Sequence, residues 1–75
     1  MYYTYILERD KKLYIGYTND LARRFEQHSR EYKCTLIYYE AYSSEKLARE
    51  REQKLKQYGS AWNGLKKRVL PERAG

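Results

Sequence analysis

Residues 13–28 read LYIGYTNDLARRFEQH, and this stretch decides which fold the chain can form. Its first five residues are rich in tyrosine and aliphatic side chains, which favour a β-strand. Residues 18–20 then offer threonine, asparagine and aspartate, the side chains that typically cap the N-terminus of a helix. Apolar residues recur beyond this cap at helical spacing. We therefore predict a helix from about Leu21 to Arg30 whose inner face is formed by Leu21, Ala22 and Phe25.

The residues before this stretch complete a β-hairpin. The segment Tyr2–Leu7 is rich in tyrosine, threonine and isoleucine and predicts the first strand. The polar segment Glu8–Lys12 predicts a turn, and Leu13–Tyr17 predicts the second strand. Gly16 is expected to end this second strand, at a point where a larger side chain would block the approach of another backbone or of a ligand.

A third strand and a second helix follow. Residues 29–33 form a short link, and the largely apolar run Cys34–Tyr42 predicts the strand. Ser43 or Ser44 is expected to cap a helix that continues to about Tyr58. The spacing of its apolar residues predicts an inward face formed by Leu47, Ala48, Leu55 and Tyr58.

The C-terminal part predicts one more helix. Gly59 is a typical helix stop, and Ser60 is expected to cap a last short helix that Gly64 weakens. The helix that begins near Ser60 would bury Trp62, Leu65 and Val69. Residues from Pro71 onward are expected to fray. The order β-β-α-β-α-(α) predicts an α+β fold in which one small sheet packs against helices.

Composition limits the size and the partners of the protein. A chain of 75 residues is expected to form one domain with a thin core. The net charge of +6 is unevenly distributed. Residues 1–44 carry seven basic and six acidic side chains, whereas residues 45–75 carry nine basic and four acidic ones. A basic half favours a polyanionic partner, although Lys- and Glu-rich helix surfaces also serve solubility alone.

Cysteine usage and hydropathy indicate the compartment. Cys34 is the only cysteine, which excludes a disulfide framework and a cysteine-based zinc site. No uncharged stretch approaches the roughly 18 residues that span a membrane. Met1 is followed directly by tyrosines and a threonine, without the layout of a signal peptide. We therefore expect a cytoplasmic protein that does not contact a membrane.

Five side chains near the junction of the predicted sheet and helices have the chemistry to cut a phosphodiester bond: Tyr5, Tyr14, Arg24, His28 and Glu52. The reaction requires a deprotonated water, stabilisation of added negative charge and help for the leaving oxygen. A carboxylate can hold a divalent metal, and an arginine can hold the phosphate. A tyrosine or a histidine can move the proton.

Each of these residues also has a simpler interpretation. Both tyrosines suit a sheet in which the hydroxyl is hydrogen-bonded, and Arg24 suits a surface pair with Asp20. His28 suits an interaction with the helix dipole. Glu52 lies in a run that is typical of a solvated helix face. However, it borders the predicted apolar face, whereas Glu45 and Glu50 point further towards solvent.

Residues 14–28 resemble the second signature of the GIY-YIG endonuclease family. In that signature YIG is followed by an arginine eight residues after the glycine and by a histidine four residues later, positions that Arg24 and His28 occupy here. Upstream, Tyr3-Thr4-Tyr5 occupies the place of the family's GIY, with Tyr5 on its tyrosine and Tyr3 on its glycine.

The C-terminal half continues the resemblance. The segment Ala48–Lys56 is similar to the family's A-x-x-x-E-x-x-x-K helix, which points to Glu52. Residues 59–68 resemble the ending of small stand-alone bacterial members. The resemblance implies a three-stranded antiparallel sheet flanked by helices. It also implies a metal-dependent endonuclease that acts on nucleic acid, with DNA favoured over RNA.

The resemblance also implies a role for each site residue. Glu52 would be the only protein carboxylate on a divalent cation, Mg²⁺ or Mn²⁺. Arg24 would hold the scissile phosphate, and His28 would orient or transfer a proton. Either Tyr5 or Tyr14 would help to deprotonate the attacking water, and the residues do not decide between them.

Binding and specificity follow from the same comparison. The basic residues expected to bind nucleic acid are Lys56, Lys66, Lys67 and Arg68. Relatives usually carry a longer basic loop in place of residues 29–33, so we expect weak binding. Family members usually rely on an attached domain for target choice, so we expect low specificity, or specificity supplied by a partner. Two other functions stay open. One is a binding module of the same fold without turnover, and the other is an interaction module that uses the tyrosine-rich sheet.

Overall fold

The computed structural model describes residues 1–69 and confirms the predicted fold class. Three antiparallel strands form one sheet in the order β2-β1-β3. Within residues 1–69 no helix is long and apolar enough to cross a membrane. The fraying predicted from Pro71 onward lies outside the described residues. The elements are β1 (Tyr2–Arg9), β2 (Lys12–Thr18), α1 (Leu21–Glu31), β3 (Cys34–Tyr42), α2 (Glu45–Leu55) and α3 (Ser60–Val69).

The β1–β2 hairpin is tighter than the sequence pattern predicted. Pairing continues to Arg9 opposite Lys12, so only Asp10 and Lys11 form the loop. Both have positive φ, 52° and 66°, as in the two-residue turns that match the twist of a hairpin. The predicted turn Glu8–Lys12 was wrong because charged residues at the ends of the strands still pair through their backbones.

The core lies on the sheet face that α2 and α3 cover. Ile6 and Ile15 pair across β1 and β2 and pack against Leu55, Trp62 and Leu65. The opposite sheet face is covered by α1, which contributes no buried residue. Its predicted apolar face, which comprises Leu21, Ala22 and Phe25, instead lines an open groove with Tyr3, Leu36 and Tyr39 of the sheet. The sheet is therefore well packed on one face and thinly covered on the other.

The helix α2 is shorter than predicted. Its N-cap is Ser44, one of the two predicted caps. The helix ends at Leu55 and not near Tyr58 as predicted. Leu47 is 49% exposed and Tyr58 is 58% exposed, so the prediction that both face inward was wrong. Tyr58 lies beyond the helix with φ 56° and turns the chain, the role that the sequence had suggested for Gly59. Its ring packs edge-to-face on Trp62 instead.

The helix α3 follows with little deviation from its prediction. Ser60 was predicted to cap the helix from outside, but it is the first helical residue. The Gly59 carbonyl accepts from the Asn63 N–H at 3.0 Å. Trp62 and Leu65 are buried and Val69 packs against the same cluster. Gly64 does not interrupt the helix. Burial of the apolar face therefore outweighs the low helix propensity of this glycine.

Candidate active site

Tyr5 lies in the middle of β1 and is 5% exposed. It faces Gly16 of the edge strand β2, and a Cβ at residue 16 would lie 2.5 Å from the Tyr5 Oη. The phenol therefore crosses Gly16 towards the edge of the sheet. Gly16 does not end β2, which continues to Thr18, so that part of the prediction was wrong. The expectation of a close approach holds, but the approaching group is the ring of Tyr5.

Arg24 and His28 are carried by α1, one turn apart. The helix begins at a well-made cap, in which Asp20 Oδ1 accepts from the Arg23 N–H at 3.1 Å. The His28 and Tyr5 rings meet edge-to-face, with their centroids 6.4 Å apart. The suggested Arg24–Asp20 pair does not form, and within residues 1–69 no carboxylate lies in ion-pair range of Arg24.

Glu52 is carried by α2 on the border of its buried face. Its side chain is 16% exposed, and Lys56 Nζ lies 3.5 Å from its Oε2. One turn earlier, the Thr4 hydroxyl donates to the Ala48 carbonyl at 2.7 Å and joins α2 to β1. This buried hydrogen bond sets the position of the helix, and hence of Glu52, relative to the sheet.

One pocket brings most of the predicted residues together. It has a volume of about 510 Å³ and lies between α1 and α2 beside β2. Five of the predicted residues line it, namely Tyr5, Arg24, His28, Glu52 and Lys56. The remaining lining residues are Ile15, Gly16, Tyr17, Thr18, Asn19 and Glu45. Three elements that are far apart in the sequence thus contribute an arginine, a histidine, a carboxylate and a phenol to one concavity.

Four predicted residues are not part of this lining. Tyr14 is 39% exposed, and its hydroxyl accepts from Arg9 Nη2 at 3.2 Å. The other three residues are on α3, where Lys66 Nζ lies 5.9 Å from the Trp62 ring centroid. Burial, followed by the hydrogen bond to Glu40, raises the pKa of Tyr38 on β3, and the positive charge of Arg68 acts in the opposite direction. Since β3 is the sheet edge opposite to β2, Arg68 is on the far side of the sheet from the pocket. The predicted nucleic-acid contacts of Lys66, Lys67 and Arg68, and the catalytic role of Tyr14, stay predictions.

Glu45 is a pocket residue that the sequence interpretation placed towards solvent. It is exposed, yet it lines the same pocket as Glu52, and Arg49 Nη1 lies 3.6 Å from its Oε1. Residues seven positions apart fall on the same helix face after two turns. The spacing from Glu45 to Glu52 therefore carried a signal for this position, whereas Glu50 lies on another face and pairs with Lys46.

Electrostatics in the pocket favour the neutral form of the Tyr5 phenol. Burial raises the pKa of Tyr5, the positive charge of Arg24 acts in the opposite direction, and the negative charge of Glu52 adds to the increase. The protonated phenol is a hydrogen-bond donor beside the His28 ring. Tyr5 gains basicity only when more positive charge enters the pocket.

The donor set of the pocket fits one divalent cation that keeps most of its water. Within residues 1–69 no group of three or more His, Cys, Asp or Glu side chains is arranged to hold a metal. Mg²⁺ is commonly held by one or two carboxylates together with waters and phosphate oxygens. Glu52 supplies such a carboxylate at a pocket with room for both.

A comparison with protein families identifies the domain. Residues 1–66 match the family model described as the GIY-YIG catalytic domain. No curated protein and no solved structure matches the chain.

Proposed function

Because the chain belongs to the GIY-YIG catalytic domain family, we propose that it is an endonuclease that hydrolyses phosphodiester bonds in nucleic acid with one divalent cation, and that DNA is its preferred substrate. The family implies a nuclease fold and a nucleic-acid substrate. The observation that carries the proposal is the pocket in which Tyr5, Arg24, His28 and Glu52 meet. A module that only binds backbone phosphates has no need of a partly buried carboxylate beside Arg24 and Lys56.

Arg24 is proposed to hold the scissile phosphate. Its side chain is exposed at the pocket, and within the described residues no carboxylate neutralises it. A guanidinium offers two parallel N–H donors to the phosphate oxygens. Negative charge grows on these oxygens as the bond breaks, so Arg24 stabilises the transition state more than the ground state.

Glu52 is proposed to hold the cation, Mg²⁺ or Mn²⁺. When bound, the cation supplies a water of lowered pKa and an electrostatic partner for the phosphate. Lys56 is the present cationic neighbour of Glu52, and its own side chain is 49% exposed. A flexible lysine in this position can leave the carboxylate and interact with the phosphate backbone instead, which supports the predicted contact of Lys56 with nucleic acid.

Tyr5 and His28 are proposed to position the attacking water and to move its proton. Tyr5 is preferred to Tyr14 for this role because only Tyr5 lines the pocket. Since burial raises the pKa of Tyr5, its protonated phenol orients the water in the resting site. Added positive charge favours release of the phenol proton to solvent, and the phenolate that results can accept the proton of the water. The His28 ring lies edge-to-face against Tyr5, so its imidazole is close enough to the phenol to take part in moving the proton.

Nicking of supercoiled plasmid tests this proposal. The protein is expected to convert supercoiled DNA to the open circle with Mg²⁺ or Mn²⁺ and to lose this activity in excess chelator. A matched panel of single-stranded DNA, duplex RNA and single-stranded RNA ranks the substrates. Binding at low salt without cleavage of any of them would contradict the endonuclease and favour the binding module.

A further inference from the structure

A second concavity adjoins the candidate active site. It has a volume of about 350 Å³, and its lining is formed by Thr18, Asn19, Asp20, Arg23, Arg24 and Gln27. Thr18, Asn19 and Arg24 also line the active-site pocket, so the two concavities meet at these three residues. A nucleotide whose phosphate lies at Arg24 therefore has its neighbouring atoms within reach of the second concavity.

The geometry of α1 separates two sets of side chains. Arg24 and His28 are one turn apart and line the active-site pocket. Arg23 and Gln27 are also one turn apart, and they line the second concavity. The two pairs differ by one residue, which is a rotation of about 100° around the helix axis. The helix thus directs one row of side chains to the proposed reaction centre and the next row beside it.

The loop before α1 holds the rest of the lining in place. The buried Thr18 hydroxyl accepts from the Asp20 N–H at 3.1 Å and donates to the Asp20 carbonyl at 3.3 Å. These bonds set the backbone on both sides of Asn19, whose side chain is exposed at the concavity. A fixed backbone lowers the entropy lost when a ligand binds.

The chemistry of the lining suits the edge of a base better than a second phosphate. Asp20 adds a negative charge, and its Oδ1 accepts from the Arg23 N–H, so a second phosphate here would be repelled by this carboxylate and would find one N–H of the helix N-terminus already engaged. An arginine pairs with O6 and N7 of guanine through two N–H donors. Asparagine and glutamine amides pair with N6 and N7 of adenine. The side chains of Arg23, Asn19 and Gln27 can therefore each form a pair of hydrogen bonds with the edge of a purine.

We propose that the second concavity is a nucleobase subsite, in which Asn19, Arg23 and Gln27 hold a purine of the nucleotide next to the scissile phosphate. Its place beside the phosphate rests on the proposed endonuclease function. The subsite makes cleavage sensitive to the base beside the cut without adding a separate recognition domain.

Mapping of cleavage positions on a long DNA of mixed sequence tests the subsite. In the parent protein a purine is expected at one set position beside the cuts, in excess by about five- to tenfold, the lower range of discrimination by a paired side chain. Arg23→Ala, and the double variant Asn19→Ala with Gln27→Ala, are expected to lose this preference, measured as the ratio of purines to pyrimidines beside the cuts. The backbone N–H of residue 23 still donates to the cap in Arg23→Ala.

Arg30→Ala is the matched control. Arg30 is on the same helix, pairs with Glu26 at 2.7 Å and does not line either concavity. It is expected to keep the purine preference. A parent protein that cuts with no base preference beside the cut, or an Arg23→Ala protein that keeps the preference, would overturn the subsite.

Nucleotide titration separates a failure of the subsite from a failure of the endonuclease. Deoxyguanosine monophosphate is expected to shift the side-chain amide resonances of Asn19 and Gln27 more than deoxycytidine monophosphate does, and Arg23→Ala is expected to remove the difference. Equal shifts with both nucleotides would refute the subsite. A parent protein that shows purine-dependent shifts but cleaves no substrate would refute the endonuclease and support the subsite.

Discussion

Two carboxylates of the protein have the same burial and opposite surroundings. Glu40 on β3 is 17% exposed and Glu52 on α2 is 16% exposed. Glu40 accepts from Arg51 Nε at 2.9 Å and from Arg51 Nη2 at 3.1 Å, and both neighbouring tyrosine hydroxyls also donate to it. Burial alone acts to raise the pKa of Glu40, but the hydrogen bonds from Arg51, Tyr42 and Tyr38 together lower it.

Glu52 has a much poorer set of partners. Within residues 1–69 its one ion-pair partner is Lys56, at 3.5 Å and half exposed. The two carboxylates therefore differ in the number of donors that they bind, although their burial is the same. Glu40 has its lone pairs engaged and links β3 to α2, whereas Glu52 keeps lone pairs that the proposed cation would use.

The largest expected effect is that of Glu52→Gln on cleavage. The change keeps the shape of the side chain and removes the charge that would hold the cation. Mg²⁺-dependent nicking is expected to fall at least about a thousandfold, as when strong electrostatic stabilisation is lost. Binding of nucleic acid is expected to stay the same or to tighten. Glu50→Gln is the matched control on the same helix, and parental nicking by Glu52→Gln would show that Glu52 does not hold the metal.

The effect of Arg24→Ala on cleavage is the next in size. Loss of the guanidinium is expected to lower the single-turnover rate by about 10²–10³-fold, because its charge is used in the transition state. Arg24→Lys is expected to restore little, since an ammonium cannot donate two parallel N–H bonds. Arg30→Ala serves as the control, and equal losses in Arg24→Ala and Arg30→Ala would contradict the role of Arg24.

The variant Glu40→Gln tests the other half of the comparison. It is expected to lower the free energy of unfolding by about 1–3 kcal/mol, because Arg51 loses a partly buried charged partner. Cleavage per folded molecule is expected to stay near the parental rate. Glu52→Gln is expected to change stability by no more than about 1 kcal/mol, since its partner is exposed. Urea denaturation of both variants measures the difference, and an unchanged midpoint for Glu40→Gln would contradict the structural role.

The hydrogen bonds around Glu40 are also expected to make the free energy of unfolding depend on pH, with a smaller effect than the substitutions above. The pKa of Glu40 is lowered from its ordinary value of 4.5, so its stabilisation is present above pH 4.5 and is lost as pH falls through the lower folded value. Burial, followed by the hydrogen bond to Glu40, raises the pKa of Tyr42 from 10.0 to about 12. Its contribution is therefore lost as pH rises from 10.0 to about 12, because only the unfolded chain ionises readily in that range.

Denaturation in urea at a series of pH values measures the loss of stability at acid and at alkaline pH. Glu40→Gln is expected to remove the loss at acid pH, and Tyr42→Phe is expected to reduce the loss at alkaline pH. If both variants lose as much stability with pH as the parent protein does, other groups set the pH dependence.

Local elements were predictable where the pattern is strong. The bounds of β3, the order of the elements and the placement of Arg24 beside His28 on α1 all follow from periodicities of two and about 3.6 residues. Two of the errors concern backbone pairing and chain reversal. The pairing of Arg9 with Lys12 and the turn at Tyr58 depend on contacts that side-chain pattern does not encode.

The candidate site also has a part that the sequence predicts and a part that it does not. Sequence by itself determined the elements and the residue types that each of them offers, because strand alternation, helix spacing and caps involve neighbours within a turn or two. Only the tertiary structure decided that Tyr5 crosses Gly16 into the pocket, that Glu45 joins it and that Tyr14 does not. Such meetings depend on the direction of a long side chain and on the positions of helices on both faces of the sheet. These are set by packing between residues far apart in the chain, which no local spacing contains.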